Sequence, residues 1–113
     1  MIDHIRPAAL SRWLQSHASH GPAVVLDVRE PWEWQTASVQ ESGFALLRIP
    51  MGQLPARIRE LDPGHPVACL CHHGARSLQV AHFLKGHGFS RVANITGGIH
   101  AWSAECDAAV PTY

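Results

Sequence analysis

The run Cys71-His72-His73-Gly74-Ala75-Arg76-Ser77 follows the apolar segment Pro66-Val67-Ala68-Cys69-Leu70 and opens the amphipathic segment Leu78-Gln79-Val80-Ala81-His82-Phe83-Leu84. A cysteine at the tip of a buried strand, followed by a short glycine-containing loop and a helix start, is placed to act as a thiolate nucleophile. Backbone N–H groups of the loop and of the first helical turn converge on the sulfur, and their partial positive charge favours S⁻ over SH. Cys71 is therefore the expected nucleophile. Gly74 supplies the backbone freedom that bends the loop inward. Cys69 lies two residues back inside the strand and is expected in the core; Cys106, near the C-terminus, is not expected to act as a resolving thiol.

The neighbouring polar residues leave alternatives open. His72 and His73 either raise the local positive potential and touch an anionic donor, or face solvent and contribute mainly their backbone N–H groups. Arg76 either binds an anionic donor at the pocket mouth or pairs with Asp27 or Glu30 and ties two loops together. Asp27, Arg29, Glu30 and Glu33 read as an ion-pair and capping cluster supporting the pocket. Trp102 reads as a core residue of the last helix, and one of Trp32 and Trp34 could line the entrance.

A strand must carry Cys71 and helices must flank it, and the chain alternates accordingly. Pro7, Leu10, Trp13, Leu14 and His17 give the stripe of a short helix with proline in its first turn. Ala23-Val24-Val25-Leu26-Asp27-Val28 is a continuous apolar strand of the kind buried on both faces of a parallel sheet. Ala45–Ile49 resembles another strand. Leu54, Ile58 and Leu61 mark a helix beginning near Pro55 and stopping at Asp62-Pro63-Gly64. After the strand Pro66–Leu70 a helix is predicted from Ala75 to Lys85, then a strand Arg91–Ile95. Thr96-Gly97-Gly98 turns the chain into a last helix, and Asp3–Arg6 makes a first short strand. The pattern predicts an α/β fold with a central, mainly parallel five-stranded sheet and helices on both faces. Ligands of such sheets bind beyond the carboxyl ends of the strands, where Asp27, Cys71 and Gly97-Gly98 would meet.

Size and composition set the bounds. The 113 residues suit a single domain spanning 1–113, and 46% hydrophobic against 16% charged residues is an ordinary globular balance. Nine basic and nine acidic residues cancel, with no basic stripe, so no nucleic-acid or membrane partner is expected. No segment has the length of a bilayer span, and the N-terminus lacks signal-peptide organisation. Three cysteines, an odd number, point to reduced thiols and a cytoplasmic location. The nine histidines are scattered without metal-ligand spacing, so neither a metal site nor a cofactor is expected.

Three blocks together resemble the single-domain rhodanese (thiosulfate sulfurtransferase-like) family across nearly the whole chain. Asp27-Val28-Arg29-Glu30-Pro31-Trp32-Glu33 is similar to the family's D-V-R-E-x-x-E segment, and Cys71 to Ser77 to its C-x-x-G-x-R-S active-site loop. Gly86-His87-Gly88-Phe89 through Val92, then Gly97-Gly98-Ile99-His100-Ala101-Trp102, resembles its G-F-x-x-V and G-G-I-x-A-W ending. Between Thr36 and Phe44 the chain departs from the G-H-I-x-G-A stretch of many relatives, which bears on the pocket rim and the substrate.

The resemblance implies a sulfurtransferase in which Cys71 takes sulfane sulfur from thiosulfate or a related donor, holds it as a persulfide, and passes it to cyanide or a thiol. His72, His73, Gly74, Ala75 and Arg76 would bind the substrate, with Asp27, Arg29, Glu30 and Ser77 in support. The expected partners are a small-molecule donor and acceptor. The alternatives are a sulfur-relay domain serving a dedicated protein acceptor, a non-catalytic binding domain, and a phosphatase or arsenate reductase. The last resembles C-x5-R; here Cys71 and Arg76 are spaced C-x4-R, a tighter ring that suits a terminal sulfur better than a tetrahedral oxyanion.

Overall fold

A computed structural model describes residues 2–113. Five strands, β1 (Asp3–Ile5), β2 (Val24–Asp27), β3 (Ala45–Arg48), β4 (Val67–Leu70) and β5 (Val92–Ile95), form one sheet in the order β1-β5-β4-β2-β3. Every pairing is parallel, with Leu26 beside Cys69 and Cys69 beside Asn94. The helices are α1 (Leu10–Ser16), α2 (Pro31–Thr36), α3 (Leu54–Arg57), α4 (Ala75–Gly86) and α5 (Gly98–Glu105).

Strand alternation divides the core into two layers. Leu26, Val67, Cys69 and Val92 face one layer, completed by Leu54 of α3 and by Val80, Ala81 and Leu84 of α4. Val25, Ala68, Leu70, Ala93 and Ile95 face the other, completed by Leu10 and Trp13 of α1 and by Ile99 and Trp102 of α5. Side chains that alternate between two covered faces explain why β4, and β2 up to Asp27, read as unbroken apolar runs. The expected α/β sheet with helices on both faces is the fold observed, and all five strands fall within or beside their predicted segments.

Three local expectations need correction. The helix expected from Pro55 to Leu61 is a short α3 flanked by 3-10 turns at Met51–Gln53 and Ile58–Glu60. Arg57, at φ −114° and ψ 11°, leaves helical geometry between the two pieces. Leu54 and Leu61 stay buried because either helix type returns to one face every three or four residues. Pro7 begins a separate 3-10 turn, Pro7–Ala9, and α1 starts only at Leu10. Helix α2 was not predicted, although Pro31 in its first turn and Glu33 bonding back to the Glu30 N–H at 3.0 Å are start signals legible in Glu30-Pro31-Trp32-Glu33.

Central β4 lies between β2 and β5, where the strand order changes direction. Its carboxyl end therefore opens into the crevice that such sheets leave between diverging connections. Cys71 is the next residue.

Candidate active site around Cys71

The turn out of β4 begins at Cys71, which is 1% exposed. At Gly74 the chain adopts φ +111°, a left-handed conformation that favours glycine, and a Cβ there would stand 3.2 Å from the Gly97 nitrogen. This bend aims the Gly74 N–H at Cys71 Sγ, 3.0 Å away. Of the loop amides, Gly74 is the one at hydrogen-bond distance. The expected convergence of several amides is thus replaced, in the resting loop, by one amide and one hydroxyl.

That hydroxyl belongs to Ser77, in the first turn of α4, with Oγ 3.2 Å from Sγ. Ser77 Oγ also lies 2.5 Å from Asn94 Oδ1 and 3.2 Å from the Gly74 carbonyl oxygen, and Asn94 Nδ2 donates to that same carbonyl at 3.3 Å. A serine has a single proton to give, so it donates to Asn94 or to sulfur, not fully to both. A neutral thiol can donate to Ser77 while Ser77 donates to Asn94; a thiolate can instead accept the Ser77 proton. The network therefore accommodates either state of Cys71. Asn94 was not anticipated, though it is the lone polar residue in the inward-facing positions of Val92–Ile95.

Two loop carbonyls, those of Cys71 and His72, are bonded onto α5. Cys71 O accepts from the Ile99 N–H at 2.9 Å and His72 O from the His100 N–H at 3.1 Å. These donors belong to the first turn of α5, whose N–H groups have no partner within the helix. Gly98 makes the close approach feasible: it sits at φ +60°, and a Cβ there would meet Cys71 O and His72 O at 2.4 Å each. With the Cys71 and His72 carbonyls held there, the Gly74 N–H is the loop donor that reaches Sγ.

Behind the loop runs a chain of charged contacts. Arg29 and Asp27 are both fully buried. All five guanidinium N–H groups of Arg29 are used: two on the Asp27 carboxylate at 2.9 and 2.7 Å, and one each on Ala37 O, Glu33 O and the Tyr113 hydroxyl. Burial works against the Arg29 charge, but these bonds outweigh it and its pKa is raised. Arg76 pairs with neither Asp27 nor Glu30; it grips both oxygens of Glu33, at 2.7 and 2.9 Å. Glu33 also accepts from the Tyr113 hydroxyl at 2.7 Å. The Arg76 bonds above all hold the Glu33 carboxyl down to about 2. Glu30 lies exposed at the start of α2. Tyr113 had no signal in the sequence, yet it joins Glu33 to Arg29.

At the rim, the His72 ring lies flat against Tyr113, centroids 3.9 Å apart, and 4.0 Å from the His73 ring on its other side. Burial, followed by the neighbouring His73, lowers the His72 pKa. His73 is exposed, as are Ala75 and His100. Contrary to the expectation of no metal-ligand grouping, ring nitrogens of His72, His73 and His100 all come within 4.8 Å of one another. Spacing hid this, because His100 arrives on a different element. Trp102 is buried in the core, while Trp32 is exposed and edge-on to Tyr113. Cys69 is fully buried, and its burial pushes the thiol pKa well up, as expected of a structural thiol. Cys106 is exposed, and none of the three cysteines forms a disulfide.

Comparison with known proteins agrees with this architecture. The family model for the rhodanese-like domain matches residues 10–105. A chloroplastic rhodanese-like/PpiC domain-containing protein 12 of Arabidopsis thaliana is 42% identical over 116 residues, covering 99% of this chain. The chain spans only 38% of that plant protein's length. A sulfurtransferase of Allochromatium vinosum is 32% identical over 103 residues, covering 91% of this chain and 90% of the relative. Among solved structures, a rhodanese-related protein of Thermoplasma volcanium superposes with a TM-score of 0.74 at 31% identity, covering 92% and 93% of the two chains. No helix among the described residues is long and apolar enough to cross a membrane. With the model matched along most of its length and a relative of its own size named for sulfur transfer, this chain belongs to the rhodanese-like domain family.

Proposed function

We propose that this chain is a sulfurtransferase of the thiosulfate type, with Cys71 as its nucleophile and persulfide carrier. The Cys71 thiolate attacks the outer sulfur of a thiosulfate-class donor, the S–S bond of the donor breaks, and sulfite leaves with the bonding pair. The product is Cys71-S-S⁻. Cyanide or a thiolate then attacks the outer sulfur and the thiolate of Cys71 departs, so each turn restores the starting state. Because sulfite is a stable anion, no general acid is required.

One observation carries this reading: Sγ faces an amide and a hydroxyl, Gly74 N–H and Ser77 Oγ, while the Cys71 and His72 carbonyls turn onto α5. The added negative sulfur would lie among donors from the loop of His72, His73, Gly74, Ala75 and Arg76. Glu33 rather than Glu30 holds that loop from behind through Arg76, and Arg29, paired with Asp27, backs Glu33 through its backbone carbonyl and Tyr113. A phosphatase reading fares worse, since its loop arginine must clasp an oxyanion and Arg76 has both terminal nitrogens on Glu33. Three unpaired thiols suit a reducing, cytoplasmic setting.

Incubation with thiosulfate, a mercaptopyruvate-type donor or glutathione persulfide, followed by intact-mass measurement, should show gain of one sulfur atom. Cys71→Ser should abolish it, and subsequent cyanide should remove the atom as thiocyanate. Failure to gain sulfur from all three donors would overturn the proposal. Slow release to cyanide with rapid release to a protein thiol would instead identify a sulfur carrier.

A further inference from the structure

We propose that His72, His73 and His100 form a binding site for one borderline-soft divalent transition-metal ion, of which Zn2+ is the type, at the rim of the Cys71 loop. One ring nitrogen from each residue lies within 4.8 Å of the other two. Tetrahedral zinc holds nitrogen ligands at about 2.0–2.1 Å, which sets them about 3.3 Å apart. Closing the triangle therefore asks for small ring movements, roughly an ångström each, and His73 and His100 are exposed and free to make them.

The backbone that carries the three rings is already fixed. His72 and His73 are adjacent in the loop, and the His100 N–H donates to His72 O at 3.1 Å, so the α5 terminus and the loop move as one. At Gly98 the two segments pack backbone to backbone, with both loop carbonyls 2.4 Å from where a Cβ would be, and the Ile99 N–H donates to Cys71 O at 2.9 Å as a second tie between them. The His72 ring is held flat between Tyr113 and His73, and its Nε2 is buried with no hydrogen-bond partner among the described residues. A buried ring nitrogen without a partner costs free energy that a bound ion can recover if it takes the lone pair directly. Three imidazoles and no carboxylate favour zinc, cobalt or nickel over calcium or magnesium, which require oxygen donors. Three protein ligands also leave a fourth position open to water or a small anion, as in zinc sites that bind exchangeable ligands.

The test uses the full chain, titrated with Zn2+ by equilibrium dialysis and with Co2+ followed by visible absorption. One ion should bind per chain, with Co2+ giving intense tetrahedral d–d bands and no thiolate-to-metal charge-transfer band. His100→Gln and His73→Gln should each weaken binding by about tenfold or more. Cys71→Ser and His82→Gln should leave affinity within about twofold. His100→Gln, an exposed substitution outside the sulfur-transfer machinery, should leave sulfur loading of the metal-free chain unchanged, which confirms that the variant is folded. Three results would each overturn the site: no saturable binding up to about 0.1 mM free ion, an affinity indifferent to His100→Gln, or a charge-transfer band that disappears in Cys71→Ser.

Discussion

Replacing Glu33 by glutamine should cost about 3 kcal/mol of folding stability at neutral pH and almost nothing near pH 2. Glu33 is 2% exposed, and its carboxylate receives two bonds from Arg76, one from Tyr113 and one from the Glu30 N–H. These hold its folded pKa at about 2, against an ordinary 4.5. At about 1.4 kcal/mol for each pH unit between those values, the ionised carboxylate is favoured over the neutral acid by about 3 kcal/mol. Glutamine has the shape of the neutral acid, so the substitution removes that difference and little else. Because the folded pKa lies below the unfolded one, the stabilisation is complete above about pH 4.5. It fades as the pH falls from 4.5 to 2, where the unfolded carboxyl takes up its proton first. Urea unfolding followed by tryptophan fluorescence from pH 7 to pH 2.5 should give curves for the two proteins that start far apart and converge across that window. At pH 7 the melting temperature should fall by roughly 12 °C. A stability gap under about 1 kcal/mol at pH 7, or one that stays constant down to pH 2.5, would refute the assignment of Glu33 as the clasp of the Arg76 loop.

Two further substitutions, Gly98→Ala and Ser77→Ala, probe the loop, and Gly86→Ala at the far end of α4 is their control. Gly98→Ala places a Cβ 2.4 Å from two carbonyl oxygens at a positive φ, and should cost at least about 2 kcal/mol while impairing sulfur loading of Cys71, as read by thermal melts and intact mass. Gly86→Ala, with nothing within 4 Å of the new carbon, should be neutral or stabilising by up to about 1 kcal/mol in the same melts. Ser77→Ala strips a partner from Sγ, Asn94 Oδ1 and Gly74 O, and should destabilise by about 1–3 kcal/mol and slow alkylation of Cys71 by iodoacetamide. An unchanged alkylation rate would show that the hydroxyl has no bearing on the thiolate.

The parts of this molecule legible in its sequence are those governed by local rules. Val24–Asp27 and Val67–Leu70 announce themselves because strands covered on both faces have no polar alternation to obscure them. Gly74 and Gly98 mark the turns because few other residues take their backbone angles. Asp27 and Arg29, two residues apart at a strand end, find each other as the ion-pair cluster suggested. What escaped depends on elements distant in the chain. Arg76 selects Glu33 over Glu30 and Asp27 only because α2 turns Glu33 toward α4, while Asp27 is already engaged by Arg29. Asn94 matters because parallel pairing sets β5 next to β4 with its side chain under α4. Tyr113 reaches Glu33 from 80 residues away, where no spacing rule operates. The three-histidine rim is of the same kind.

The fastening of the Cys71 loop to α5 dictates when, during synthesis on a ribosome, this reactive group can exist. Residues 71–77 emerge before Gly98, Ile99 and His100, so the carbonyls of Cys71 and His72 wait without their donors, and β1 waits for β5 to pair. At roughly 5–20 residues per second, the nascent chain spends on the order of seconds with an unassembled thiol. The loop around the nucleophile is thus fastened only once α5 has been made and β5 has joined the sheet.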